Sequence, residues 1–425
     1  MKLSKPIQVF EHKQLLIGEH GFARQHWEAL GWYNEKHGGC FFTLNPKGVK
    51  FNQYVGVIQV GNITIEILPK ISQTVEKGDK AKWQKVLIDM LRECRWMQIY
   101  AQDKASLRFK PNSILEAYLE MFVKECEEII RAGLVKKYRA VESNCTALKG
   151  KLLYGKQIQH NLVHKERFYT RHQIFDRENI YNQILLKALK LIPLISQSSF
   201  LKDKVYNLLL SFPELEDIKV TTSSIEKLFF NRKTFRYKEA IEIAAMLLLN
   251  YRPDISSGNN HVLAILFDMN DLWEEYIYRQ LFKNKPSNWQ IKSQNSKRFW
   301  HFSDSNFSKT IRPDIVIHNL LTDKRIVLDT KWKIPENNIP ADADLKQMFV
   351  YNEYWNGLNA LLVYPNAQYT ETPIYHSGKF AIKEKATTTH NCGILKMAIL
   401  DKNNNGLDRT IGKRLNAFLK NEIIK

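Results

Sequence analysis

Two aspartates and a lysine between positions 314 and 331 have types and spacing suited to phosphodiester hydrolysis. Pro313-Asp314 begins one apolar run, and Asp329-Thr330-Lys331 ends the next. Carboxylates are the hard oxygen ligands that hold Mg²⁺ against a scissile phosphate, and a nearby cation can orient or activate the attacking water. The stretch IRPDIVIHNLLTDKRIVLDTKWK, residues 311–333, therefore predicts a metal-dependent nuclease site.

The elements that must position these side chains follow from the apolar pattern. Val327, Asp329 and Lys331 are two residues apart, so they share one face of a strand. The runs IVI and IVL flank a polar turn at 319–325, which predicts an antiparallel hairpin that brings Asp314 beside Asp329. A plain hairpin with solvated ends is the alternative, because so short a motif also occurs by chance.

The segment after the hairpin has helical spacing and carries a further polar pair. Gln347 and Tyr351 are four residues apart and lie on one helix face. Gln347 can hydrogen-bond a phosphate or a metal-bound water and Tyr351 can support it, whereas the alternative is an amphipathic helix that packs Phe349 and Val350 on the sheet. Residues 358–364 follow as a buried strand. The order strand, strand, helix, strand predicts an α/β core.

The C-terminal part resembles a PD-(D/E)xK nuclease domain with a RecB-type QxxxY helix. The whole chain resembles the McrC family, the nuclease subunits of McrBC-type modification-dependent restriction systems. The segments that carry this resemblance keep the family order: VGVI at 55–58, ITIEILPK at 63–70, LKGK at 148–151, DMNDLWEEY at 268–276, RPD at 312–314 and LDTKWK at 328–333. It implies that Asp314, Asp329 and the Thr330 carbonyl hold Mg²⁺, and that Lys331 activates water and stabilises the developing charge.

The same resemblance implies supporting residues and partners. Glu274, in a leucine-aromatic-Glu pattern, would be the acidic residue near the metal, although periodicity alone does not choose between Glu274 and Glu275. With Gln347 and Tyr351, Glu274 completes the candidate catalytic set. A McrB-type AAA+ GTPase hexamer would recognise DNA with a 5-methylcytosine type of modification, while residues 1–75 dock on that ring. A stand-alone RecB-like DNA-processing nuclease and a non-catalytic adaptor of an AAA+ ring remain the alternatives.

The apolar and capping patterns predict a mixed α/β chain in three parts. These are a β-rich module at 1–75, a mainly helical region at 76–258 and a restriction-endonuclease-like domain at 259–425. The first part has predicted strands at 7–10, 40–44, 54–60 and 63–67 and a helix at 23–34. The middle part has predicted helices at 114–132, behind the capping box Ser113-x-x-Glu116, and at 179–191 and 240–249.

The formal charge of +19 over 425 residues favours polyanionic partners, with DNA the first of them. Lys297, Arg298 and Arg312 lie among aromatic residues next to the predicted site, so we predict that they contact the DNA backbone; a polar strand face is the alternative. GKLLYGKQ at 150–157 nearly matches a phosphate-binding loop, but Gln157 replaces the hydroxyl that would ligate Mg²⁺. That departure argues against a nucleotide site in this chain.

Cysteine usage and hydropathy favour a cytoplasmic protein that makes no membrane contact. The five cysteines are scattered, which indicates neither a disulfide framework nor a zinc site. No run of eighteen apolar residues occurs, and the N-terminus lacks the apolar core of a signal peptide.

Overall fold

A computed structural model describes residues 6–36, 38–70, 79–94, 96, 113–252, 262–303, 308–357, 359–380 and 390–423. Leu358, the first residue of one predicted strand, lies outside the described residues. Contacts group the chain into two compact units, the first formed by residues 1–5, 59–62 and 108–265 and the second by residues 6–58, 63–107 and 266–425. The predicted β-rich N-terminal residues therefore belong largely to the same unit as the predicted nuclease site.

In the described residues up to Cys94, the predicted strands and the predicted helix are present, together with two additional strands. The elements are β1 Ile7–Phe10, β2 Gln14–Leu16, α1 Arg24–Lys36, β3 Phe42–Asn45, β4 Gly48–Phe51, β5 Tyr54–Val60, β6 Ile63–Leu68 and α2 Asp79–Glu93. Strand β1 pairs in parallel with β6, and β4 pairs antiparallel with both β2 and β3. The sequence analysis missed β2 and β4, which are only three and four residues long and give too short an alternation to detect.

The middle of the chain has the predicted helices, but three strands interrupt them. The elements are α3 Ile114–Arg131, β7 Lys137–Cys145, β8 Lys151–Leu152, α4 Tyr154–Asn161, β9 Phe168–Asp176, α5 Ile180–Ile195, α6 Ser199–Ser211, α7 Thr222–Glu226, α8 Lys238–Asn250, β10 Tyr251–Arg252 and β11 Val262–Asp268. Strand β9 pairs antiparallel with β7 and β8. We call the segment 137–176 the arm. Because β7 and β9 have no continuous buried face, they lack the alternation that would have revealed them.

The predicted capping box of α3 forms only in part. Ser113 Oγ accepts hydrogen bonds from the backbone N–H groups of Leu115 and Glu116, as an N-cap residue does. The Glu116 carboxylate does not complete the box, because it accepts hydrogen bonds from Ser196 Oγ at 2.8 Å and from the Gln197 backbone at 2.7 Å. Glu116 therefore ties α3 to the end of α5 instead.

The C-terminal part has the predicted mixed α/β core. Its elements are α9 Met269–Asn284, β12 Trp289–Ser293, β13 Lys297–His301, β14 Ser308–Ile311, β15 Ile315–Asn319, β16 Arg325–Thr330, α10 Asp342–Trp355, β17 Asn359–Asn366, β18 Ile374–His376, β19 Asn391–Ala398 and α11 Ile411–Phe418. Six strands form one sheet in the order β12-β15-β16-β17-β19-β18, with β16, β17 and β19 mutually parallel. No helix among the described residues is both long and apolar enough to cross a bilayer.

Helix α10 packs on this sheet through a different set of side chains than predicted. Met348, Tyr351 and Trp355 are buried against strand residues such as Val327 and Leu362. Phe349 and Val350 are only partly buried and line an open apolar groove, so they are not the packing face. The spacing 348, 351, 355 is also a helical stripe, and it turns Gln347 toward the end of β16.

Candidate active site

The β15–β16 hairpin brings the two predicted aspartates to the same end of the sheet. Ile315 pairs with Leu328 in the antiparallel register, and Asp314 and Asp329 are the next residue on each strand. The hairpin that the sequence predicts is therefore confirmed. The Asp329 side chain is deeply buried, with its residue only 1% exposed.

The first carboxylate is fixed by the strand opposite. Asp314 Oδ2 accepts hydrogen bonds from the backbone N–H of Thr330 at 2.7 Å and from Thr330 Oγ1 at 2.9 Å. Burial raises the pKa of Asp314, and the charge of Glu274 raises it further, while the bonds to Thr330 lower it. Burial also raises the pKa of Asp329, with the charge of Asp314 as the next cause. Two acidic groups thus lie close enough to disfavour each other's ionisation.

Lys331 lies beside the second carboxylate. Its Nζ is 2.7 Å from Asp329 Oδ2 and 3.9 Å from Asp344 Oδ1. Burial lowers the pKa of Lys331, but the charges of Asp329, Asp344 and Asp314 outweigh that effect and raise it. Lys331 is therefore held as an ammonium group at neutral pH. Asp344, which the sequence analysis did not propose as a site residue, also accepts a hydrogen bond from Lys333 Nζ at 2.6 Å.

A chain of hydrogen bonds runs from Lys331 through helix α10 to the residue two before Asp314. Lys331 Nζ donates to Gln347 Oε1 at 3.5 Å, and Gln347 Nε2 donates to the Tyr351 hydroxyl at 2.6 Å. That hydroxyl donates to the backbone carbonyl of Arg312 at 2.9 Å. The predicted Gln347 and Tyr351 thus connect the lysine to the start of the hairpin.

The structure separates the two adjacent glutamates of α9. Glu275 is paired with Arg279 one turn along the same helix. Burial raises the pKa of Glu274, its hydrogen bond from Gln294 lowers that pKa, and the charges of Asp271, Arg312 and Asp329 also act on it. Glu274 therefore lies within electrostatic reach of the hairpin carboxylates, whereas Glu275 is engaged in an ion pair.

A buried glutamate from the N-terminal strands supports the residue that follows Lys331. Glu11 is 0% exposed, and its Oε1 accepts hydrogen bonds from Trp332 Nε1 at 2.8 Å and from the Lys70 backbone at 2.7 Å. The Trp332 ring also contacts Trp273 of α9 edge to face, with centroids 5.7 Å apart. Burial raises the pKa of Glu11 to about 8. No motif indicated this contact, because its two residues are 321 positions apart.

The donor set fits a hard divalent cation. Asp314 and Asp329 supply carboxylate oxygens, and Thr330 follows Asp329 directly in the chain. Burial is the main cause of the raised pKa of both aspartates, and a dication would offset the acidic charges, of Glu274 on Asp314 and of Asp314 on Asp329, that raise them further. No group of three or more His, Cys, Asp or Glu side chains in the described part of the chain is arranged to hold a metal. A cation here would therefore take two carboxylates and complete its shell with a backbone carbonyl and water.

The three predicted DNA-binding residues differ in their surroundings. Lys297 donates to the backbone carbonyl of Tyr354 and lies 4.9 Å from the centre of the Trp355 ring. Arg298 and Arg312 have exposed side chains. All three side chains are thus exposed, and Lys297 differs in that it also contacts the end of α10.

The arm carries the near-match to a phosphate-binding loop. Lys156 forms an ion pair with Glu142 at 2.5 Å and lies 5.4 Å from the Tyr169 ring centre, so its ammonium group is occupied within the arm. The arm also has many exposed large apolar side chains: Tyr138, Leu148, Tyr154, Ile158, Leu162, Val163 and Phe175. Two of them, Tyr138 and Phe175, are in ring contact with centroids 4.8 Å apart, and exposed apolar surface of this kind is typical of protein contact surfaces.

The chain matches one protein-family model and is similar to chains of solved structures. The family model described as "McrBC 5-methylcytosine restriction system component" matches residues 49–365, a range that contains every candidate site residue except Glu11. A refined half-complex of Thermococcus gammatolerans McrB AAA+ hexamers with bound McrC contains a chain similar to this one. The two chains superpose with a TM-score of 0.71 and are 19% identical, and the match covers 98% of this chain and 100% of the other. A chain of the cryo-EM structure of the McrBC complex from the same organism superposes with a TM-score of 0.51 and is 20% identical, and the match covers 66% of this chain and 88% of the other. No curated protein sequence matches.

Proposed function

This chain belongs to the McrC family of 5-methylcytosine restriction system components, and on that basis we propose that it is the Mg²⁺-dependent DNA endonuclease subunit of such a complex. The observation that carries the proposal is that Asp314 and Asp329 lie side by side at one end of a hairpin, where Lys331 forms an ion pair with Asp329. We assign the six-stranded sheet with α9 and α10 to a PD-(D/E)xK domain on the same ground. A cytoplasmic site of action belongs to this proposal.

The aspartates and the lysine have complementary roles in the proposed reaction. Mg²⁺ bound by Asp314, Asp329 and the Thr330 carbonyl would polarise the scissile phosphate and acidify the attacking water. Lys331, held as an ammonium group, donates hydrogen bonds that orient this water and stabilises charge that develops on the phosphate oxygens. The ion pair of Lys331 Nζ with Asp329 Oδ2 at 2.7 Å places the lysine as a hydrogen-bond donor, which fits this electrostatic role.

The remaining candidate residues position the two aspartates and Lys331. Gln347 and Tyr351 hold Lys331 from α10 and fix the backbone ahead of Asp314, so they limit the motion of both catalytic strands. Glu274 adds negative charge near the two aspartates, which increases the affinity of the site for a dication. Both effects act through the cation-binding carboxylates and the lysine rather than on the phosphate itself.

The proposed partner is a McrB-type AAA+ GTPase hexamer, as in the Thermococcus gammatolerans assemblies. The sequence analysis predicts that residues 1–75 dock on it; in the described part of that range, 6–36 and 38–70, most large apolar side chains are buried. The arm, with its exposed apolar side chains, is the better docking surface on physical grounds. Since Lys156 is paired with Glu142, GTP binding is assigned to the partner.

Cleavage of modified plasmid DNA by the purified chain, with and without an AAA+ GTPase encoded beside it, tests this function. Asp329→Ala and Lys331→Ala should abolish Mg²⁺-dependent cleavage while leaving stimulation of the partner's GTPase intact. Asp323→Ala is the matched control, because this aspartate lies in the turn of the same hairpin with its side chain 81% exposed, and it should cut normally.

Three results would decide against the proposal. Normal cutting by Asp329→Ala would remove the assigned site. Full activity of the chain alone would favour a stand-alone RecB-like nuclease. GTPase stimulation without any cleavage by the wild-type complex would favour a non-catalytic adaptor.

A further inference from the structure

The two-stranded sheet β13–β14 presents an exposed aromatic pair. Trp300 and Phe302 are 45% and 53% exposed, and their rings meet edge to face with centroids 4.5 Å apart. The strand register shifts between Arg298 and Trp300, so the intervening Phe299 forms an irregularity of the β-bulge type. Bulges re-aim the side chains that follow them. Burying two large aromatic surfaces this exposed would be favourable, which makes the pair a candidate contact surface.

The base of this hairpin is fixed to helix α10. Lys297 donates to the Tyr354 carbonyl and lies over the Trp355 ring. The Phe299 ring lies 5.7 Å from the Tyr354 ring, and the Tyr354 hydroxyl reaches the Phe299 carbonyl at 3.5 Å. Because α10 also carries Gln347 and Tyr351, the hairpin and the candidate catalytic residues share one support.

The aromatic pair is also close to the hairpin carboxylates along the chain. Trp300 pairs with Lys309, which is five residues before Asp314. Five residues of extended chain span at most about 17 Å. That length corresponds to about five base-pair steps of 3.4 Å each. With roughly 5 Å added for the distance between the paired residues Trp300 and Lys309, Trp300 lies at most about 22 Å from Asp314. A DNA strand bound at Asp314 can therefore extend to Trp300.

The charge around the pair selects nucleic acid as its partner. The described hairpin residues 297–303 and 308–312 include Lys297, Arg298, His301, Lys309 and Arg312 and contain no acidic residue. The sequence between them, 304–307, adds one aspartate, Asp304, so basic residues still outnumber acidic ones over 297–312. Aromatic rings interleaved with basic groups are the composition of surfaces that bind unpaired nucleotides, where rings stack on bases and cations follow the backbone. An apolar protein surface would gain nothing from the surrounding positive charge.

We propose that Trp300 and Phe302 stack on unpaired bases of the DNA strand next to the cleavage site. The inference rests on the proposed nuclease function and adds a preference for DNA whose base pairs are open at the cut. Base faces are covered by their neighbours in an intact duplex, so the rings gain stacking partners only where the stack is broken. Arg298 contributes phosphate binding that is independent of base pairing.

Binding measurements without cleavage test this inference. The full chain in EDTA is titrated with a fluorescein-labelled duplex and with the same duplex carrying a central mismatched bubble. Trp300→Ala should weaken binding of the bubble by about 5- to 100-fold, the range for loss of a base-aromatic stack, with a much smaller effect on the duplex. Trp300→Phe, which keeps a ring, should retain most of the affinity even if the alanine variant folds poorly.

Two further measurements separate stacking from charge. Trp300→Ala should leave the log-log salt slope unchanged, whereas Arg298→Ala should lower its magnitude on duplex DNA by about 0.9. The 2-aminopurine fluorescence of a base in the bubble should be quenched by the wild-type chain and by the control Trp32→Ala, which removes a 63% exposed tryptophan of α1. It should not be quenched by Trp300→Ala.

Equal losses on bubble and duplex, or no loss on either, would overturn the inference. So would a Trp300→Ala variant that binds DNA normally but loses the AAA+ partner, since that result assigns the pair to a protein contact. Because these experiments contain no divalent metal, their outcome is independent of whether Asp329→Ala abolishes cleavage.

Discussion

Replacing Glu11 by glutamine should change how the stability of the protein depends on pH. Glu11 is fully buried, and burial raises its pKa from the ordinary 4.5 to about 8. Its Oε2 accepts no hydrogen bond from the described residues. His12 Nε2 lies 3.8 Å from Oε2, but burial lowers the pKa of His12, which disfavours its charged form. Ionised Glu11 is therefore poorly compensated, and the folded protein favours its protonated form.

The sign and size of the effect follow from linkage. A group with a raised folded-state pKa gives stability that is complete below pH 4.5 and is lost as the pH rises to about 8. Each pH unit within that window costs about 1.4 kcal/mol. The wild type should therefore lose about 3 kcal/mol from this group by pH 7, and about 5 kcal/mol above pH 8. Glu11→Gln keeps an oxygen for Trp332 and Lys70 but cannot ionise.

Urea unfolding of both proteins between pH 5 and pH 9, followed by tryptophan fluorescence, measures this difference. We expect similar stabilities near pH 5 and a growing advantage of Glu11→Gln up to pH 8. Comparison of the two proteins at each pH cancels the other titrating groups, which they share. Glu28→Gln, an exposed glutamate paired with Arg24 on α1, is the matched control and should follow the wild type. If the free energy of unfolding depends on pH in the same way for Glu11→Gln and the wild type, Glu11 does not have a raised pKa in the folded protein.

The remaining expectations concern the site and its flank. Tyr351→Phe removes the bond to the Arg312 carbonyl, so kcat should fall about tenfold, a loss typical of one hydrogen bond, with DNA affinity unchanged; an unaltered kcat would count against the positioning role. Glu274→Gln should raise the Mg²⁺ concentration needed for half-maximal cleavage by about 10- to 100-fold, while Glu275→Gln should leave it near wild type; similar metal curves would contradict the separation of the two. Lys297→Ala should leave the salt slope of DNA binding unchanged, because this ammonium group contacts Tyr354 and Trp355. A slope whose magnitude falls by about 0.9 would instead support the phosphate contact that the sequence predicts for Lys297.

The sequence was sufficient to predict the hairpin and the helix that carries Gln347 and Tyr351. Both depend on local periodicity, since a strand alternates every two residues and a helix face repeats every three or four. Periodicity could not separate Glu274 from Glu275, because both lie beside the apolar stripe of α9; the ion pair with Arg279 separates them in the structure.

Other features had no local signal at all. The strands of the arm have one exposed face and one that is mostly only partly buried, so their sequence shows no apolar alternation. The support of Trp332 by Glu11 joins residues 321 positions apart, and a single sequence gives no indication of which distant residues meet. Lys297 has the same sequence context as its basic neighbours, and only the position of α10 shows that its ammonium group also contacts Tyr354 and Trp355.

The division of the second unit into separate stretches has a consequence for synthesis on the ribosome. Residues 6–58 and 63–107 emerge first, yet the rest of their unit begins at residue 266. At usual translation rates, roughly 10 to 30 s pass before the ribosome reaches that point. During this interval the early strands lack their final packing partners, and Glu11 has no tryptophan to bind. We therefore expect nascent chains and prematurely terminated products to lack the candidate site, so that any cleavage of DNA awaits completion of the chain.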